Sequence, residues 1–159
     1  MKDLTDRALN LAQVKGATYA DMRIVRRVGQ GLMVKNGIVE AIALSENQGF
    51  GVRVIADGAW GFASSSILSA AEVDRVTALA VQIARASART RNKPVVLDPP
   101  RPIVATYASP YKIDPFSVSL DDKIALLLKA NAAMRISPAI RVARSSMECL
   151  RVHKVFASS

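Results

Sequence analysis

The chain has 159 residues, half of them hydrophobic and 22% charged, which suits one ordinary domain with a buried core and argues against disorder. Lys and Arg number 22 against 13 Asp and Glu, for a net charge of +9. One cysteine, Cys149, excludes an internal disulfide, and one histidine, His153, excludes a zinc site built on two histidines of this chain. No signal-like or membrane-spanning apolar run is present, so we expect a cytoplasmic protein without a membrane partner.

The predicted elements begin with a helix over residues 4–15, capped by Asp3 or Thr5 and ended by Gly16. Alternating residues between positions 22 and 62 then predict about five short antiparallel strands. The turns expected between them are at residues 29–31, at Asn36-Gly37, at residues 46–49 and at Asp57-Gly58.

The second half of the chain predicts two longer helices and a hairpin. Ser69 and Glu72 form a capping box that opens a helix to about Arg91, and its alanines predict close packing on the sheet. Prolines at 94–102 predict an extended connector, and Ser119 caps another helix. The expected inward face of that helix is Ile124, Leu127, Leu128 and Ala132. Residues 140–156 predict a C-terminal β-hairpin with a turn near residues 150–153.

These elements predict an α+β fold, an antiparallel β-meander of about five strands packed against helices, with a C-terminal β-hairpin. We assign residues 1–159 to a single domain. Within it, residues 1–92 hold the first helix, the meander and the long helix, residues 93–118 form a Pro-rich connector, and residues 119–159 hold the last helix and the hairpin.

The search for catalytic residues is mostly negative. Cys149 and His153 could act as a thiol and its base, but they lie about 13 Å apart in an extended strand, unless a turn joins them. Glu148 with these two residues supplies three metal donors at most, without the spacing of a closed zinc site. The serine clusters lack a Gly-x-Ser-x-Gly elbow, and the Gly-x-Gly pairs lack the rest of a phosphate loop. We therefore predict no catalytic and no metal-binding residue in this chain.

The basic excess leaves one class of partner open. The arginines are scattered along the chain and aromatic residues make up only 5%, which argues against a base-stacking nucleic-acid platform. Trp60 and Phe62 share one face of a strand, either as core residues or as a peptide-contacting surface. We take Arg53, Trp60 and Phe62 as the candidate peptide or partner contacts.

Several segments resemble the N-terminal domain of the TldD/PmbA family, and the TldD branch fits better than the TldE branch. The segments are YADMRIV at 19–25, VKNGIVE at 34–40, GFGVRVIADGAWGFAS at 49–64, ARASA at 84–88, YKIDPF at 111–116 and FASS at 156–159. They occur in the family's order, so the resemblance runs from end to end.

The resemblance implies a zinc metallopeptidase family, also called modulators of DNA gyrase, whose His-Glu-x-x-x-His motif lies in a C-terminal domain. That motif does not occur here, so no catalytic or metal residue carries over, and we expect this chain to be inactive alone, as a fragment, a truncated product or one part of a split enzyme. The implied partners are a TldE/PmbA-type subunit or a separate catalytic domain, and unfolded peptide. The domain would shape the substrate chamber and contribute subunit contacts.

The alternative is a stand-alone basic module that binds nucleic acid or an acidic protein. In either case the last strand should leave an unpaired edge and apolar surface, so we expect self-association.

Overall fold

A computed structural model describes residues 1–98 and 102–159 of the chain. It contains helices, numbered α, and strands, numbered β, whose bounds in chain order are α1 (Lys2–Val14), β1 (Tyr19–Lys35), β2 (Ile38–Ala56), β3 (Ala59–Ser65), α2 (Ala70–Ala88), α3 (Leu120–Met134) and β4 (Arg144–Ser158). The strands form one sheet in the order β3-β2-β1-β4. The predicted α+β class, with antiparallel strands and packed helices, is confirmed.

In place of the five strands expected in the meander, the structure has two long strands, β1 and β2, and the shorter β3. Positive φ angles occur at Asn36 and Gly37 and at Asp57 and Gly58, so both predicted two-residue turns form. Residues 29–31 instead lie inside β1 and residues 46–49 inside β2. The prediction of corners at these glycines is wrong, because a glycine also occurs inside a strand where another group approaches the backbone. A Cβ on Gly49, for example, would lie 3.1 Å from the Ser65 carbonyl oxygen.

The predicted C-terminal hairpin is wrong, because β4 runs from Arg144 to Ser158 without a turn. The residues expected to turn are Leu150, Arg151, Val152 and His153. None of them is a Gly, Pro, Asn or Asp, the residues that favour a tight turn.

The chain divides into two compact units. Unit 1 comprises Met1–Arg26, Asn47–Ile103 and Val152–Ser159. Its core joins the inner sides of the strands to α1 and α2, with Met22, Val52 and Val76 fully buried. The close packing predicted from the alanines of α2 is confirmed, because a Cβ on Gly61 of β3 would lie 2.0 Å from the carbonyl oxygen of Ala80.

Unit 2 comprises Arg27–Glu46 and Val104–Arg151. Its buried apolar cluster is Leu32, Val34 and Leu127. The predicted inward face of α3 is only partly right, because Leu127 is buried, Ala132 is exposed, and the other buried residues of the helix are Lys123 and Asn131.

Helix ends follow the expected caps with one exception. Ser69 and Ser119 each accept a hydrogen bond from the backbone three residues ahead, as predicted. The N-cap of α1 is Met1 rather than Asp3 or Thr5, since the Thr5 hydroxyl lies in the first turn and donates to the Lys2 carbonyl. The centre of the predicted connector, residues 99–101, lies outside the described residues. Within the described ranges, no helix has the length and hydropathy needed to cross a membrane.

Candidate functional site

The open face of the unit 1 sheet carries all three candidate contact residues. Val52 and Val54 of β2 point into the core, so Arg53, between them, projects to the opposite side. Arg53 pairs directly with Phe62 across the β2–β3 ladder, and Ile55 pairs with Trp60. Residues that pair directly have side chains on the same face, so Trp60 and Phe62 share a face as predicted and Arg53 joins them.

A buried carboxylate fixes the position of Arg53. The Nε and Nη2 atoms of Arg53 lie 2.8 and 2.7 Å from Oδ2 of Asp21 on β1. The Asp21 side chain is only 3% exposed, whereas that of Arg53 is 40% exposed. The guanidinium also stacks over Trp60 at 4.6 Å from the ring centre, and Trp60 packs edge-on against Tyr19. Ion pairing and stacking together hold this arginine in one orientation.

Arg23 approaches the same carboxylate from the other side. Its Nε lies 3.6 Å from Oδ1 of Asp21, and its guanidinium lies 5.2 Å from the ring centre of Phe156 on β4. Two guanidiniums therefore share one carboxylate, and the group has one net positive charge.

Asp21, Arg23 and Arg53 line a groove of about 470 Å³ on the open face, which we call the open-face groove. Phe62, 57% exposed, forms an apolar wall. A Cβ on Gly51 would lie 2.7 Å from the Phe62 ring, so this position leaves room for the ring only as glycine. The lining residues are Asp21, Arg23, Val25, Gly49, Phe50, Gly51, Arg53, Phe62 and Ser64.

The electrostatics of the site act on the Tyr19 phenol and the Arg53 guanidinium. The hydrogen bond to Asp21 raises the pKa of Arg53 further above its usual value. Burial raises the pKa of the Tyr19 phenol, and the neighbouring negative charge of Asp21 raises it further. Tyr19 therefore stays neutral and the arginine stays charged, so the site suits binding and electrostatic recognition.

Neither sequence candidate for chemistry is assembled in the structure. The thiol–imidazole pair needs a turn between Cys149 and His153, but β4 is continuous through both residues. Cys149 is buried and His153 is exposed. In the described part of the chain, no group of three or more His, Cys, Asp or Glu residues could hold a metal ion. The donor set of the described residues therefore does not fit the zinc of the family.

Sequence analysis missed Asp21 and Arg23 as parts of this site. Both lie in the segment that carries the family resemblance, and their alternation with the buried Met22 predicts a shared outward face. Which strand would lie beside Arg53 could not be read from that alternation.

Comparison with known proteins identifies part of the chain. Residues 20–84 match the family model described as PmbA/TldA metallopeptidase domain 1. A metalloprotease of Methanocaldococcus jannaschii is 29% identical over 110 residues, which cover 69% of this chain and 24% of the relative.

Solved structures share the fold over almost the whole chain. A candidate modulator of DNA gyrase from Bacteroides thetaiotaomicron superposes with a TM-score of 0.78 at 18% identity, over 99% of this chain and 36% of that one. TldE from Thermococcus kodakarensis superposes with a TM-score of 0.74 at 14% identity, over 98% of this chain and 35% of that one. At these identities the likeness shows the fold alone.

The chain spans about a quarter of the length of its curated relative and about a third of these solved chains. The resemblance found in the sequence is confirmed by the family model and the curated relative, and its fold by the solved structures. Over residues 20–84 the chain is therefore similar to the first domain of the PmbA/TldA metallopeptidases, in line with its resemblance to the N-terminal domain of the TldD/PmbA family.

Proposed function

We propose that this chain is the non-catalytic N-terminal module of a TldD-type zinc metallopeptidase and that its open-face groove contacts extended, unfolded peptide. The single observation that carries the proposal is the grouping of Arg53, Trp60 and Phe62 on an open sheet face within the segment that matches the family model. Hydrolysis itself would depend on a domain with the His-Glu-x-x-x-His motif, because the described residues hold no group suited to zinc.

The position of β3 supports a peptide as the ligand. This strand lies at one edge of the sheet, so its outer backbone groups can pair with an added strand. Such pairing uses main-chain hydrogen bonds and is largely independent of sequence, which suits varied unfolded substrates. Phe62 on the same strand would then pack against alternate side chains of the peptide.

The proposal includes the setting of the module. A TldE/PmbA-type subunit or a separate catalytic domain would complete the enzyme, and this domain would form part of the substrate chamber and of the subunit contacts. The location would be cytoplasmic. Exposed strand edges would let isolated chains self-associate, which light scattering at increasing concentration measures.

Amide-shift mapping of the isotope-labelled full chain with a disordered peptide tests the proposal. We expect shifts in β3 and around Arg53, and Phe62→Ala should weaken binding while the spectrum stays folded. Tyr111→Ala is the matched control, since Tyr111 is an exposed aromatic residue in unit 2. An unchanged spectrum, or equal weakening by both variants, would contradict the proposal.

Binding to nucleic acid is the second candidate, favoured by the net charge of +9. A titration with duplex DNA at several salt concentrations separates the two functions. Phosphate-driven binding predicts that log K falls linearly with log salt concentration. Binding to DNA but not to peptide would replace the first proposal with this one.

A further inference from the structure

We propose that the open-face groove selects peptides by binding one of their carboxylates between Arg23 and Arg53, with an apolar side chain of the peptide against Phe62. The inference rests on the proposed peptide-binding function and adds the class of ligand. The carboxylate is either an acidic side chain or the C-terminus of the peptide, since both present the same planar group to a guanidinium.

The two arginines of the groove carry more charge than their one carboxylate partner balances. Arg53 makes a close ion pair with Asp21, whereas Arg23 is farther away, at 3.6 Å from the other carboxylate oxygen. One carboxylate for two guanidiniums leaves one positive charge at the wall of the groove. A single carboxylate from a ligand would neutralise it.

Contacts within the protein already order both arginines before a ligand binds. Asp21 is buried behind the two arginines, while the side chains of Arg23 and Arg53 are 50% and 40% exposed and so remain accessible to a ligand. Each guanidinium stacks on an aromatic ring, Arg53 on Trp60 and Arg23 on Phe156. Side chains that are already ordered lose less entropy when they bind, which favours recognition of a small charged group.

The apolar part of the groove specifies what lies next to the carboxylate. Val25 and Phe62 line it, and the missing side chain at Gly51 lets the ring lie low over the strand. An apolar residue adjacent to the carboxylate would therefore cover the exposed ring. A nucleic acid fits less well, because it brings a run of phosphates to a groove with one net positive charge and a buried carboxylate.

The experiment measures the affinity of the full chain, at low salt, for three disordered peptides of equal length. The first carries a Leu-Glu pair and an amidated C-terminus, the second has Gln for Glu, and the third is the Gln peptide with a free C-terminal carboxylate next to Leu. We expect either carboxylate peptide to bind about tenfold more tightly than the neutral one, as a charge-assisted hydrogen bond implies. Preference for the first assigns the site to acidic side chains, and preference for the third assigns it to the C-terminus.

Arg23→Gln is the informative variant, because Asp21 keeps its closer partner Arg53 and the fold should survive. It should reduce carboxylate binding to the level of the neutral peptide and leave the neutral peptide unchanged. Arg151→Gln is the matched control, since Arg151 also pairs with an aspartate and stacks on a ring, but in unit 2.

Equal affinity for all three peptides would overturn the carboxylate site and leave the proposed peptide function standing. Failure of every peptide to bind would overturn both. Persistence of the discrimination in Arg23→Gln, or displacement of peptide by duplex DNA at equal concentration, would also overturn the site.

Discussion

The two units attach a helix to strands by different means. In unit 1, α2 packs on β3 so closely that Gly61 faces the backbone of Ala80 and Ala84. In unit 2, the buried residues of α3 include Lys123 and Asn131, which are polar. In unit 1 the helix is attached by apolar packing in which the backbones of α2 and β3 approach each other closely. In unit 2 it is attached by side-chain hydrogen bonds.

Asn131 shows how the polar attachment works. Its Nδ2 donates to the carbonyl of Ala143 at 2.9 Å and its Oδ1 accepts from the amide of Gly37 at 2.8 Å. A second, longer contact runs from Nδ2 to the Val34 carbonyl at 3.5 Å. The Lys123 ammonium donates to the Gln30 side chain in the same unit. Among the described residues, the buried apolar cluster of unit 2 has three members, so these bonds replace part of the packing that α2 obtains from a larger core.

Gly61→Ala should break the unit 1 attachment and give the largest effect. The new Cβ would lie 2.0 Å from the Ala80 carbonyl oxygen and 2.5 Å from the Ala84 nitrogen, so α2 must move away from β3. We expect a loss of about 3 kcal/mol or more in the free energy of unfolding, at the upper end for an overpacked core. Urea denaturation measures it. Gly31→Ala in β1 is the control, because its Cβ would lie 3.8 Å from the Ala43 Cβ, an ordinary contact, and a similar loss there would contradict the explanation.

Asn131→Ala should break the unit 2 attachment. It removes the hydrogen bonds from the Gly37 amide and to the Ala143 carbonyl, which then keeps the Asn36 amide as a donor, and it leaves a cavity at a fully buried position. We expect a loss of about 2–4 kcal/mol. Hydrogen exchange read separately for α2 and α3 checks it, with α3 amides losing protection first. Lys129→Ala, at an exposed position of the same helix, should change little, and equal effects would show that helix propensity is responsible.

The apolar attachment could be predicted from the sequence, but the polar one could not. The alanines of α2 predict close packing because small side chains on a buried helical face let a neighbouring strand approach the helix backbone. The α3 pattern predicted Ile124, Leu127, Leu128 and Ala132 as the inner face, and only Leu127 is fully buried. Two of the backbone groups bonded to Asn131, the Gly37 amide and the Val34 carbonyl, lie more than 90 residues away in the chain, and local periodicity carries no information about them.

The candidate site could also be predicted only in part from the sequence. The spacing of Trp60 and Phe62 placed them on one face, and strand pairing added Arg53 opposite Phe62. The contribution of Asp21 required the register between β1 and β2, which a strand pattern alone leaves open. The strand ends were missed for a related reason, since a glycine inside a strand and a glycine at a turn look alike in one sequence.

Thr77→Val tests the unit 1 attachment by removing a polar group from its apolar packing, and it is expected to stabilise the chain. Within the described residues, the buried Thr77 hydroxyl of α2 has no hydrogen-bond partner, whereas the buried Asn131 of α3 is bonded. Valine has nearly the same shape and removes the unmet group, so we expect stabilisation by about 1 kcal/mol. Urea denaturation against wild type measures it. Asn131→Leu should destabilise the chain under the same conditions, and stabilisation by both variants would mean that the polar attachment is not needed.

Acid should destabilise unit 1 slightly by protonating Glu72, which pairs with Arg75. This is the smallest of the expected effects. Hydrogen bonds from Arg75, and then Ser65, lower the pKa of Glu72 from 4.5 to about 2. Because the folded pKa is depressed, the stabilisation is complete above pH 4.5 and is lost as the pH falls towards 2. Glu72→Gln should therefore flatten the pH dependence of unfolding between these values, with a slight cost at neutral pH.

Arg75→Gln should flatten that pH dependence in the same way, since it removes the partner that lowers the pKa of Glu72. In unit 2 the pKa of Asp114 is also lowered, first by the Phe116 amide, then by Arg151, and also by the charge of Lys123 on α3, so acid should loosen α3 independently of either substitution. Hydrogen exchange at pH 3 and pH 6 separates the two effects. If Glu72→Gln changed the acid response of α3 as much as that of α2, the two attachments would share one acid-sensitive unfolding step, and the distinction between the units would fail for acid unfolding.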